Sequence, residues 1–164
     1  MRLSFQQILP LIIFFPVAVI QLTVIPFFEF DYVTPDLILI LLVFFTLQQG
    51  QLYGTVLGFI FGFLFDLMSG GLLGSSMFAK TLAGFIAGYF FNENKSDRNT
   101  GSYFFVLVVF IAASIDSFFY ALFGSAETSR NIFGVVFRHT ILSGTYTAVV
   151  SLIVVIFKPS KRFQ

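Results

Sequence analysis

The sequence predicts an all-α polytopic membrane protein of about six transmembrane helices, forming one integral membrane domain over residues 1–164. Three observations lead there. Hydrophobic residues make up 57% of the 164 positions and charged residues only 10%, against about 25% charge in soluble domains. Mean hydropathy is +0.95, so in water the chain would expose large apolar patches. The apolar residues gather in six runs separated by short loops, which leaves no stretch for a soluble catalytic domain.

The first run, residues 8–28, follows Arg2 in the manner of a signal peptide. It is long for such a segment and no small-residue cleavage site follows it, so it reads as a retained helix, bent by Pro10, Pro16 and Pro26. The second and third runs, 36–47 and 53–68, fall short of the roughly 20 residues of a typical span. They either cross a thinned bilayer or form a hairpin that dips in and returns. The fourth, fifth and sixth runs are 72–91, 103–123 and 132–157. Phe occurs 26 times and Trp is absent. The phenylalanines therefore read as lipid-facing and inter-helix filling. Tyr32, Tyr53, Tyr89, Tyr103 and Tyr120 are left to supply any interfacial belt.

Positive charge sets the direction. With the N-terminus inside, Arg2, Lys95, Arg98, Lys158, Lys161 and Arg162 fall on the inner side. Only Arg130 falls outside, with Glu29, Asp31 and Glu127. Both termini are thus expected in the cytoplasm. The chemistry of the chain also excludes function classes. There is no Cys for disulfides, Fe–S clusters or thiolate zinc, and one His cannot build a metal site alone. No cofactor is implied. A net charge of +1 gives no basis for nucleic-acid binding. No Walker-type loop or catalytic grouping is present, so the expectation is a protein that is not an enzyme.

The third run carries the clearest pattern: Gly54, Gly58, Gly62, Asp66, Gly70 and Gly74 follow one another at intervals of four, with Gly50 preceding them. That spacing keeps residues on one helix face, and glycines there let another helix come close. A second stripe, Gly84 and Gly88, lies on the fourth run beside Ala83 and Ala87. These positions are expected either to pack helices within the chain or to dock a partner helix. Asp66 continues the stripe. A carboxylate in an apolar helix costs a few kcal/mol, so it is expected to cap the turn at residues 69–71, to sit at the membrane interface or to serve a function.

Applying the topology to depth predicts a polar cluster in the outer half of the membrane. Asp66, Lys80, Asp116, Arg138 and His139 come from four runs and reach a similar outer level. Isolated charges there are costly, so pairing is expected, with Asp66 or Asp116 meeting Lys80 or Arg138. The cluster is either an ion network fixing helix packing or a pocket open to the outside.

The run from Gly58 to Gly74, with Asp66 eight residues from each, resembles the signature of the bacterial rod shape-determining protein MreD family. Pro35-Asp36-Leu37 resembles that family's proline-led start of the preceding helix, and Phe63 stands where Leu is more usual. The resemblance implies a fold like the substrate-binding subunits of energy-coupling-factor vitamin transporters. It implies a non-enzymatic component of the cell-elongation (rod) complex in the bacterial cytoplasmic membrane. The implied partners are MreC and, through it, the MreB filament and the peptidoglycan synthases, with no small-molecule substrate. The alternative is a substrate-binding subunit of a vitamin-type transporter.

Overall fold

The computed structural model describes residues 5–29, 33–92, 103–124 and 132–157. Six α-helices account for most of them: α1 Phe5–Thr23, α2 Leu37–Gln49, α3 Gln51–Ser69, α4 Ser75–Gly88, α5 Tyr103–Gly124 and α6 Ile132–Phe157. A short 3-10 helix, Ile25–Phe28, follows α1, with Pro26 in its first turn.

α2 is the central element. It is apolar all round and buries Ile38, Leu39, Ile40, Leu42, Val43, Phe45, Thr46 and Leu47, as expected of a helix with neighbours on every side. Those neighbours are α1, α3, α4, α5 and α6. Phe14 of α1, Phe61 of α3 and Phe105 of α5 fill the same core, and the rings of Phe14 and Phe61 stack 4.8 Å apart. α3 packs along α4, and α5 along both α4 and α6.

Two segments, Gln51–Ser69 and Tyr103–Phe123, are long and apolar enough to cross a membrane. The first corrects the expected third run, 53–68, which read as too short. The helix begins at Gln51 because α2 ends in Gly50 with φ at +98°, a conformation that lets the chain reverse within one residue. α2, Leu37–Gln49, is a shorter apolar helix. α4, with 14 residues, is only about 21 Å long, shorter than the expected run 72–91.

α3 shows why the fold suits lipid. Gly54, Gly58, Gly62 and Asp66 are buried on one side, while Leu52, Val56, Phe59, Phe63 and Leu67 are exposed on the other. Hydroxyls bond back to their own helix, Thr46 to the Leu42 carbonyl and Thr81 to that of Met77, which satisfies these donors in an apolar setting.

Candidate functional site

The glycines define the first half of the site. A methyl group built on Gly58 would run into the Lys80 carbonyl, and one on Gly62 into the backbone of Ser76 and Met77. On α4, Gly84 meets the Gly54 carbonyl and Gly88 meets Gln51. Gly54 also lies against the side chain of Thr46 on α2. The two stripes thus face one another, backbone against backbone, within the chain.

Gly70 and Gly74 do not belong to that face. α3 ends at Ser69, Gly70 adopts φ +67° and Gly74 φ +102°, and nothing crowds either. They shape a turn that a side chain would strain. The period-four count runs past the helix end, where it no longer denotes a face.

Asp66 holds this turn together. Its carboxylate accepts hydrogen bonds from the backbone N–H groups of Gly74 at 2.8 Å and of Ser76 and Met77 at 3.2 Å. The first N–H groups of a helix lack partners within it, and negative charge is favourable there. Asp66 therefore caps α4 from the end of α3. It does not join Lys80, as one of the expected pairings had it, because its oxygens are occupied by these amides.

The second half of the site surrounds Lys80, on the second turn of α4 and almost fully buried. Its ammonium group pairs with Asp36 Oδ2 and with Asp116 Oδ2, the latter at 3.2 Å. The Phe65 ring lies 5.8 Å away. Asp116 comes from the second half of α5 and is buried as well. Asp36 does two things. Its Oδ1 caps α2 by accepting from the Leu39 N–H at 2.8 Å, while Oδ2 meets Lys80.

Uncharged groups complete the junction. The Asp36 N–H donates to Thr147 Oγ1 of α6 at 3.2 Å. From α1, Gln21 donates through Nε2 to the Pro35 carbonyl at 3.0 Å and accepts from the Leu37 N–H at 2.9 Å. Nearby, Ser117 of α5 donates to Ser143 of α6 at 2.7 Å, and Gly144 lets the two helices close up against Ser114 and Phe110.

Of the expected cluster, the structure brings Lys80 and Asp116 together and leaves Asp66 to its cap. Arg138 and His139 lie on α6, but their side chains fall outside the described residues. Asp36, Gln21 and Thr147 were not foreseen. Asp36 had a legible signal, since an acid directly before an apolar run is an N-cap pattern. Gln21 and Thr147 carry no charge and gave none.

Chemically, the junction is a tie between helices. Lys80 spends its donors on two carboxylates, and among the described residues no three metal-binding side chains come together. An open apolar groove of about 380 Å³ lies elsewhere, lined by Val33, Leu142, Thr145, Tyr146 and Val149. None of these described lining residues is charged.

A family model described as rod shape-determining protein MreD matches residues 1–160 of the chain. No curated protein and no solved structure is a significant match.

Proposed function

The chain belongs to the MreD family of rod shape-determining proteins, and on that premise we propose that it is a non-enzymatic scaffold of the cell-elongation machinery. Its class is thereby set: a membrane protein with a role in rod-shape determination. The match over residues 1–160 is the observation that carries the reading. In the proposal the chain forms one membrane domain, contacts MreC, and through it serves the MreB filament and the lateral peptidoglycan synthases. Its topology has both termini in the cytoplasm, supported by the bias of Lys and Arg.

The described interior supports a scaffold. The glycine stripes are used up between α3 and α4, which directs partners to the large apolar faces of α1, α3 and α6. Lys80, Asp36 and Asp116 satisfy one another and fix how α2, α4 and α5 meet. A transporter-type fold stays part of the proposal, whereas a vitamin-carrier activity gains no support from the open, uncharged groove.

Two experiments test this. Depletion of the protein in its host should turn rods into spheres, and the wild-type chain should restore them. Affinity purification from native membranes should recover MreC in near-stoichiometric amount. Recovery of a transporter's energising subunits in its place would overturn the scaffold. Reporter fusions at the C-terminus and within residues 124–131 should report opposite sides of the membrane.

A further inference from the structure

The turn between α3 and α4 has a composition at odds with a loop in water. α3 is 19 residues long, about 28 Å, close to the roughly 30 Å of a bilayer's hydrocarbon core. The turn therefore begins where the hydrocarbon ends. The outward apolar surface does not stop there: after Leu67 and Met68 it continues with Leu72 and Leu73, which are 65% and 68% exposed. Between Asp66 and Lys80 no residue is charged, and those two side chains turn inward. No charged side chain on the turn favours bulk water.

The backbone sets the depth. The Gly74, Ser76 and Met77 amides are taken by Asp66, and Ser75 bonds the Leu72 carbonyl through both its amide and its hydroxyl. The amides of Gly71, Leu72 and Leu73 have no hydrogen-bond partner among the described residues. Bare amides cannot sit in hydrocarbon, yet two exposed leucines are unfavourable in water. Both demands are met only at the headgroup boundary. The same end of the molecule carries more apolar surface, with Phe78 of α4 against Phe119 and Phe123 of α5 at 5.5 and 5.6 Å.

We propose that the α3–α4 turn is a lipid-anchoring wedge, with Leu72 and Leu73 among the first acyl carbons and the amides of residues 71–73 among the phospholipid headgroups. The Asp66 cap and the positive-φ glycines hold the wedge in shape, so its insertion fixes the depth of the α3–α4 pair. The occupant of this surface is phospholipid, whichever proteins the chain assembles with.

The chain has neither Trp nor Cys, so a single introduced probe reports without background. Leu72→Trp and Leu73→Trp are purified and reconstituted without partners into phosphatidylethanolamine–phosphatidylglycerol vesicles. Lipids brominated near the headgroup should quench both several-fold more than aqueous iodide does. Spin-labelled Leu73→Cys, which lacks the interfacial preference of indole, should be several-fold more accessible to oxygen than to a nickel chelate. Label at Glu29→Cys should show the reverse. Iodide quenching of the tryptophans at 72 and 73 stronger than quenching by brominated lipid, with nickel access at 73 equal to that at residue 29, would place the turn in water and overturn the proposal. Shielding from lipid and aqueous quenchers alike would mean a protein covers the turn, and would overturn it as well.

Discussion

α3 and α4 meet along a seam made almost wholly of backbone, whereas α2, α4 and α5 meet around three charges. Both contacts run through α4 and both sit in an apolar surrounding, yet they fail in opposite ways. The glycine seam has no atoms to lose. Its strength is close contact without a desolvation cost, so only added atoms harm it. The Lys80 junction is held by opposite charges taken out of water, so it is harmed when one partner is removed and the others stay. Removing a charged side chain harms the junction, as adding a side chain harms the seam.

The largest effect is expected in the seam. Gly58→Leu puts a branched side chain where the Lys80 carbonyl already lies. Overpacking against a movable side chain costs about 1–3 kcal/mol; here the obstacle is helix backbone, and the variant should yield little monodisperse protein on gel filtration. Gly71, exposed in the turn, meets only the Ser69 hydroxyl at 3.6 Å, so Gly71→Ala should stay within about 0.5 kcal/mol of wild type in the same assay.

Next comes the junction. Lys80→Met leaves Asp36 and Asp116 facing each other without a counter-ion, a change that costs about 3–5 kcal/mol for a buried pair. It should appear as a large drop in the midpoint of detergent-titrated unfolding.

The two regions also differ in how far the sequence discloses them. The seam is written in spacing: Gly54, Gly58 and Gly62 repeat at four, and Gly84 and Gly88 answer on the next helix. The same periodicity misleads at Gly70 and Gly74, since a left-handed residue ends α3 and the helical register lapses there. At the junction, Lys80 and Asp116 follow from depth, because charges at one level in lipid need one another. Asp36 escaped that reasoning by standing at a helix boundary, counted as the start of a run rather than as a member of the interior. Gln21 and Thr147 bind backbone groups, and no pattern of residue types encodes which backbone group a polar side chain will reach.

Asp66 lies between the two regions and tests whether they are independent. Asp66→Ala removes the acceptor for three amides and should cost about 2 kcal/mol. Asp66→Asn, which keeps one acceptor oxygen, should cost less. Both should leave the Lys80 pairing in place, read as an unchanged penalty for Lys80→Met in either background. A smaller loss than that of Asp66→Ala belongs to the rim of the junction. Thr147→Val deprives the Asp36 amide of its acceptor and should lower stability by about 1 kcal/mol in the same unfolding titration.

The central claim is that Lys80 is the shared counter-ion that joins α4 to its neighbours, and a double-mutant cycle addresses it directly. Unfolding free energies are measured for wild type, Lys80→Met, Asp116→Leu and the double variant. If the pair is real, the double variant loses less than the two single losses combined, by about 1–3 kcal/mol. If the losses add to within about 0.5 kcal/mol, Lys80 and Asp116 do not depend on one another, and the junction is not what holds these helices together.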